Sequence, residues 1–213
     1  MHVFVNEPYP IINKTVSFSE EIKKSRFITY LTHVDSKQAA MHYLQELKAL
    51  HKEARHHCWA YVAASPKNSV LMGCSDDGEP KGTAGKPMMA LLQGSQVGEI
   101  MAVVIRYSGG IKLGTGGLVR AYSNGIQQLL PKIDMVEKRF YQQYHVSCDY
   151  AQMAQLESLL VNDVGRIVNV DYLQLVDAII EIDLQHASLF IKQLKSLTQG
   201  KVCVNKIKPE KVS

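Results

Sequence analysis

Runs of apolar residues and apolar positions at helical spacing alternate along the chain, and together they predict strands and helices in turn. In the first half, the apolar face of one helix follows a capping-box pattern at Asp35 and Gln38. A second helix begins near Met88, after Pro87, and a third follows Gly117. The predicted strands are 15–22, 27–34, 56–63, 70–74 and 101–105. This order predicts an α+β sandwich in which helices pack against a mixed sheet.

The second half predicts a separate domain. A strand at 136–148 precedes a helix with a capping pattern at Asp149 and Gln152, and strands follow at 165–172 and 175–183. A helix at 186–198 ends before Gly200, and a last strand covers 202–207. The order β-α-β-β-α-β is that of the ferredoxin-like fold. We place the domain boundary in the segment 131–134, which gives domains of residues 1–133 and 134–213.

Residues 100–122 join a buried strand to a helix through two glycine clusters. Glycine permits positive φ and leaves room for several backbone N–H groups to point at one anion at a helix start. This stretch therefore predicts a site for a phosphate or sulfate ion, or for nucleic-acid phosphates. Val119 and Pro87 break the dinucleotide and P-loop fingerprints. The candidate residues are Arg106, Tyr107, Gly109, Gly110, Lys112, Gly114, Thr115, Gly116, Gly117 and Arg120.

A second glycine loop, residues 82–86, shares the pattern Gly-Thr-x-Gly with residues 114–117. If both helix starts lie on one side of the sheet, Thr83, Gly85 and Lys86 would complete a double anion cradle. Alternatively, these glycines only permit close packing of helix on sheet. That alternative explains the glycines but not the absence of acidic residues between Val103 and Pro131.

Acidic and histidine residues form the other candidate cluster. Asp76, Asp77 and Glu79 either form a turn by bonding nearby backbone N–H groups, or bind a hard cation or the basic loop. His56 and His57 are neighbours on a predicted strand, so they point to opposite faces and favour packing roles over a shared metal. The four cysteines include no C-x-x-C and are expected to be reduced. We predict no metal and no cofactor.

Charge and composition narrow the class of protein. The 213 residues are 46% hydrophobic and 21% charged, as in globular proteins. Residues 1–133 carry 15 Lys and Arg against 10 Asp and Glu, so the positive balance of +4 lies in the first half and favours polyanionic partners. The sequence contains neither a signal peptide nor an apolar run long enough to span a membrane, which predicts a cytoplasmic protein without a membrane partner.

Three blocks of sequence resemble the YigZ/IMPACT family. They are Arg106 to Tyr122, Ser75 to Pro80 and Thr83 to Gly85, in the family's order, and the chain length resembles that of the bacterial branch. Ser108 departs from the family, which is expected to have a second aromatic residue there. The resemblance implies a sandwich like domain IV of elongation factor G, of the ribosomal-protein type, followed by a ferredoxin-like domain similar to its domain V. It also implies contact with RNA or the translation machinery and, in the eukaryotic branch, regulation of translation initiation through a partner-binding region that this chain lacks.

Three functional hypotheses follow. The first is a non-enzymatic module that binds RNA or the ribosome, with Arg106, Lys112 and Arg120 on phosphates. The second is an enzyme acting on a phosphorylated small molecule, whose candidate catalytic residues are His56, His57, Asp76, Asp77 and Glu79. The third is an adaptor that binds a translation-related protein.

Overall fold

The computed structural model describes residues 7–68, 70–160 and 164–208. Its internal contacts divide the chain into two units, one of which runs from Tyr9 to Lys138, while the other consists mainly of the residues from Arg139 onward. In the described residues, no helix has the length and apolar character needed to cross a membrane. The N-terminal unit contains β1 (Tyr9–Ile12), β2 (Val16–Ile22), β3 (Ser25–His33), α1 (Lys37–Leu50), β4 (His56–Val62), β5 (Met72–Ser75), α2 (Gly85–Gly94), β6 (Ile100–Tyr107), α3 (Thr115–Leu129) and β7 (Met135–Lys138).

A five-stranded sheet in the order β2-β3-β6-β4-β5 forms the centre of this unit. All four strand pairings are antiparallel, so the expectation of a mixed sheet was wrong. The strands β3 and β4, which α1 connects, lie on either side of β6 rather than beside each other, and each pairs with β6 in antiparallel orientation.

The strand β6 is buried on both faces, as its apolar run predicts. Met101, Val103 and Ile105 belong to the core beneath α1, whereas Ala102 and Val104 belong to the core shared with α2 and α3. Side chains alternate along a strand, so positions 100–105 of β6, which helices cover on both faces, are all apolar. The uninterrupted apolar run thus reflects a sheet between two helical layers.

Two differences from the predicted elements concern a helix cap and the domain boundary. The N-cap of α1 is Ser36, whose hydroxyl accepts from the backbone nitrogen of Ala39 at 3.1 Å, and not Asp35. The predicted strand at 136–148 is divided, because Lys138 ends β7 and Tyr141 begins a new strand. The strand β7 pairs with β1, which sequence patterning did not predict, and this pairing places residues up to Lys138 in the N-terminal unit.

The helix α3 lies very close to the sheet. A Cβ on Gly125 would come within 1.9 Å of the Thr29 hydroxyl oxygen on β3, so only glycine fits at this position. The neighbouring ring of Tyr122 is fully buried and meets Phe27 edge-on at 5.4 Å. These contacts fix α3, and with it the glycine loop that precedes it, against β3.

The C-terminal unit has the predicted ferredoxin-like order. It contains β8 (Tyr141–Cys148), α4 (Tyr150–Leu159), β9 (Gly165–Tyr172), β10 (Val176–Asp183), α5 (Ala187–Leu197) and β11 (Cys203–Lys206). The antiparallel sheet order is β11-β8-β10-β9. The capping box of Asp149 and Gln152 is present at the start of α4. This unit has its own core, which includes Val146, Ile180, Phe190 and Leu194.

Candidate functional site

The glycine loop between β6 and α3 ends at a helix start that no side chain of the described residues caps. Gly114 is the N-cap residue of α3 and has a φ of +76°, in the left-handed region that favours glycine. The first turn of α3 contains no acidic residue, and Thr115 and Gly116 are exposed. The first N–H groups of a helix have no partner within it, so this helix start offers unbonded donors at its positive end.

The glycines of this loop serve different purposes. A Cβ on Gly109 would lie 2.0 Å from the backbone oxygen of Lys24, and the Gly109 nitrogen donates to the Ser25 hydroxyl at 3.0 Å. Gly109 therefore anchors the loop to the turn between β2 and β3. In contrast, a Cβ on Gly116 would meet nothing within 4 Å. The space beside Gly116 is open to a ligand.

A groove runs between that turn and the outer side of α3, and we call it the α3 groove. Lys23 contributes from the turn, and Arg120 contributes from the helix one turn after Gly116. In the described residues, neither cation forms an ion pair with a protein carboxylate. The groove is lined by Ile22, Lys23, Leu113, Gly116, Gly117, Val119, Arg120, Ala121, Ser123, Asn124 and Gln127.

Arg106 does not join this groove, although the sequence placed it with Lys112 and Arg120. Its side chain is buried, and Nη1 donates to Glu79 Oε1 at 2.6 Å. The Tyr122 hydroxyl donates to the same oxygen at 2.8 Å. Burial raises the pKa of Tyr122, and the neighbouring Cys58 and Glu79 raise it further, so Tyr122 is held in its protonated, donating form. Lys112 and Arg120, by contrast, are exposed.

Tyr107 faces the other side of the sheet, since it follows Arg106 directly on β6. Its hydroxyl lies 2.8 Å from His51 Nδ1, and the Arg26 guanidinium lies 4.4 Å from the centre of its ring. The Tyr30 hydroxyl lies 3.0 Å from the other ring nitrogen of His51. Burial lowers the pKa of His51, and Arg26 lowers it further. Tyr107 packs against the core beneath α1, whereas α3 packs on the other face of the sheet. Tyr107 and the α3 groove therefore lie on opposite faces of the sheet.

The second glycine loop already holds an anion, the carboxylate of Asp76. Oδ2 accepts from the Gly82 nitrogen at 2.8 Å, while Oδ1 accepts from Ala84 at 3.0 Å and from Gly85 at 2.8 Å. Burial alone would raise the Asp76 pKa, but these three hydrogen bonds and the charge of Lys86 outweigh it and lower the pKa. A phosphate at the start of α2 would have to displace this carboxylate.

Two further contacts hold the second glycine loop in place. The Thr83 hydroxyl donates to the Pro80 carbonyl at 2.7 Å. A Cβ on Gly85 would lie 2.9 Å from backbone atoms of Ser75, so Gly85 permits close packing of α2 on β5. For this loop, the geometry agrees with the alternative in which the glycines permit close packing of helix on sheet. It also agrees with the alternative in which Asp76 forms a turn by accepting from nearby backbone N–H groups.

His56 and His57 lie on opposite faces, as expected for neighbours on a strand. His56 Nδ1 donates to the Asp77 carbonyl at 2.8 Å, and its Nε2 lies 3.9 Å from Glu79 Oε1. The backbone nitrogen of His57 donates to Asp77 Oδ2 at 2.7 Å. Burial lowers the pKa of His57 despite the nearby Asp77 carboxylate. Among the residues that the structure describes, no group of three or more His, Cys, Asp or Glu side chains has the arrangement of a metal site.

Sequence reasoning missed the part that Lys23, Asn124 and Gln127 play in the α3 groove. Lys23 lies in a turn about 90 residues before α3 in the sequence, and only the tertiary fold brings it opposite α3. A usable signal was present on α3 itself, because Gly116, Arg120 and Asn124 are spaced four residues apart and share one helix face.

Together, the sheet with helices on both faces, the ferredoxin-like unit and the basic groove define a two-unit α+β protein. The family model of the Impact N-terminal domain matches residues 23–130, and the family model of a domain of unknown function, DUF1949, matches residues 146–201. The chain is 47% identical over 185 residues to the IMPACT family member YigZ of Escherichia coli K12, covering 87% of this chain and 91% of that one. The chain therefore belongs to the IMPACT family.

A relative from a vertebrate aligns with a smaller part of the chain. Protein IMPACT-B of Xenopus tropicalis is 35% identical over 112 residues, which are 51% of this chain and 34% of that protein. Among solved structures, a crystal structure described as that of a hypothetical protein is 45% identical, with a TM-score of 0.67. The alignment covers 96% of this chain and 99% of that one, so the likeness extends over both units.

Proposed function

We propose that this protein is a non-enzymatic RNA- or ribosome-binding module linked to translation regulation, and that the α3 groove binds phosphates of the RNA backbone. The observation that carries the proposal is the position of Lys23 and Arg120 on opposite walls of a groove beside Gly116. A helix start, its dipole and cations from two elements favour the same ligand, which is a phosphate. Lys112 adds charge from the exposed loop.

The contrast between α2 and α3 supports this choice of site. The first N–H groups of α2 donate to the carboxylate of Asp76, whereas within the described parts of the chain no side chain caps the start of α3. The backbone of α3 also has open space at Gly116, where a larger residue would obstruct a ligand. Phosphate contacts supply most of the sequence-independent affinity for nucleic acids, so a site of this kind suits a module that binds the RNA backbone.

The link to translation rests on the family. The resemblance to domains IV and V of elongation factor G, and the relation to proteins named IMPACT, favour RNA of the translation machinery, or a protein bound to it, as the partner. The enzymatic alternative has less support, because its acidic candidates already bind protein groups. Glu79 accepts from Arg106 and Tyr122, and Asp76 accepts from three backbone nitrogens.

The test measures binding of a hairpin RNA at several salt concentrations for the wild type and the variants Lys112→Ala, Arg120→Ala and Lys23→Ala. Each variant should lower the magnitude of the slope of log affinity against log salt by up to about 0.9, the value for one phosphate contact. The matched control is Lys37→Ala, which removes an equal exposed charge at the start of α1, on the opposite face of the sheet. Unchanged slopes in Lys112→Ala, Arg120→Ala and Lys23→Ala alike would refute the proposal.

A spectroscopic test locates the site directly. Titration of inorganic phosphate should shift the backbone amide resonances of Thr115, Gly116 and Gly117, whereas those of Ala84 and Gly85 should stay in place because Asp76 occupies them. Shifts confined to the start of α2 would place the anion site in the other loop.

A further inference from the structure

Beyond its cations, the α3 groove has an uncharged section. Ser123, Asn124 and Gln127 follow Arg120 along the helix and line the same groove. Asn124 lies one helical turn beyond Arg120, which is about 6 Å along the axis. That distance is comparable to the distance between a backbone phosphate and the hydroxyl of the ribose joined to it. The section is therefore placed to contact the sugar of a nucleotide whose phosphate is bound by Arg120.

Glu20 fixes the orientation of the Asn124 amide. Asn124 Nδ2 donates to Glu20 Oε2 at 2.8 Å. A carboxylate only accepts hydrogen bonds, so the amide must turn its NH₂ group to Glu20 and its carbonyl oxygen away. Glu20 Oε1 is buried and has no hydrogen-bond partner in the part of the chain that the structure describes. The Asn124 NH₂ group is thus the donor on which this carboxylate depends.

The carbonyl oxygen of Asn124 remains available as an acceptor. The described residues provide no donor to it, and the side chain is half-buried in the wall of the groove. A ligand group at this point must donate a hydrogen bond and carry no negative charge, because the Glu20 carboxylate lies behind the amide. A sugar hydroxyl meets both conditions, whereas a second phosphate meets neither.

We propose that Asn124 accepts a hydrogen bond from a ribose 2′-hydroxyl group, and that the α3 groove thereby selects RNA over nucleic acids that lack this donor. This inference rests on the proposed phosphate site, since the phosphate at Gly116 and Arg120 positions the ribose. The 2′-hydroxyl is the group by which proteins distinguish RNA from DNA. Glu20 is a positioning residue that keeps the acceptor directed into the groove.

The experiment compares one hairpin RNA in two forms, unmodified and 2′-O-methylated throughout. Methylation removes the hydroxyl donor and retains the phosphates. The wild type should bind the unmodified form roughly fivefold more tightly, as expected for one hydrogen bond. Asn124→Ala should remove most of that preference by weakening only the unmodified RNA, and the salt dependence of binding should not change. Gln128→Ala is the matched control, because it shortens an exposed amide of α3 outside the groove lining and should keep the preference.

A second variant tests the positioning role of Glu20. Glutamine can either accept from or donate to the Asn124 amide, so Glu20→Gln removes the constraint on its orientation. Both RNA forms should bind somewhat more tightly, since a negative charge is lost, but the preference for the unmodified form should decrease. Thermal unfolding of each variant establishes that the comparison is made on folded protein.

Failure of this inference and failure of the proposed function give different results. If the wild type binds both RNA forms equally, with the expected salt dependence, the 2′-hydroxyl contact is refuted and the phosphate site stands. If the wild type binds neither form, the proposed function fails and the inference fails with it. A preference that survives unchanged in Asn124→Ala also refutes the inference.

Discussion

Arg106 and Glu79 form a buried ion pair beneath the glycine loop, with Arg106 Nη1 2.6 Å from Glu79 Oε1. The side chains are 10% and 4% exposed, and the Tyr122 hydroxyl donates to the same carboxylate oxygen. The pair therefore joins the end of β6, the acidic loop after β5 and the helix α3. Arg106, which the sequence suggests as a phosphate ligand, instead stabilises the structure that surrounds the site.

Arg106→Ala should destabilise the protein by about 3–5 kcal/mol, because it leaves the Glu79 carboxylate buried without its charged partner. Urea denaturation measures this change in the free energy of unfolding. Arg120→Ala is the comparison, since this residue is exposed and should change stability by less than about 0.5 kcal/mol. A folded Arg106→Ala variant of normal stability and reduced salt dependence of RNA binding would instead make Arg106 a phosphate ligand.

Asp76→Ala should cost about 1–2 kcal/mol, because it removes the acceptor for backbone nitrogens at the start of α2. The vacated N–H groups should then bind an anion. Added phosphate is expected to raise the thermal unfolding temperature of Asp76→Ala by more than that of the wild type. Equal effects of phosphate on both proteins would show that the carboxylate does not occupy an anion site.

The lowered pKa of Asp76 predicts a pH dependence of stability. A carboxyl whose pKa is lower in the folded state than in the unfolded state stabilises the fold above its unfolded pKa. That contribution is lost as the pH falls from roughly 4, the ordinary pKa of Asp, through the folded value. The difference in unfolding free energy between the wild type and Asp76→Asn should therefore be largest near neutral pH and decrease in acid. A difference that stays constant from pH 7 to pH 3 would contradict this assignment.

Gly109→Ala and Gly116→Ala should have opposite consequences. The first places a Cβ 2.0 Å from the Lys24 backbone oxygen and should destabilise the protein by about 1–3 kcal/mol. The second meets no steric obstacle and replaces a helical glycine, so stability should be unchanged or up to about 1 kcal/mol higher. Gly116→Ala should nevertheless weaken RNA binding, because its methyl group lies where the phosphate approaches. Stability curves and binding isotherms of the two variants test both statements.

Local patterns in the sequence predicted most elements, because strand and helix periods depend on neighbouring residues. The apolar run of β6 and the capping box at Asp149 are examples. The sequence could not predict which charged groups pair across long separations. Arg106 on β6 and Glu79 in the loop after β5 are 27 residues apart, and Tyr122 reaches the same carboxylate from the helix α3. A glycine-rich helix start looks the same whether a ligand or a protein carboxylate fills it, so only the fold distinguished the start of α2 from that of α3.

The division of the chain after Lys138 predicts how its fragments behave. The C-terminal unit has a separate core in which Val146, Ile180 and Leu194 are fully buried, so a fragment of residues 139–213 should unfold cooperatively. A longer fragment, 134–213, should have the same thermal unfolding temperature, because the added β7 pairs, among the described strands, with β1 of the other unit alone. Phe190→Ala in the shorter fragment should cost about 3–5 kcal/mol. If only the longer fragment folds, the segment 134–138 belongs to the C-terminal unit, and the boundary lies where the sequence first placed it.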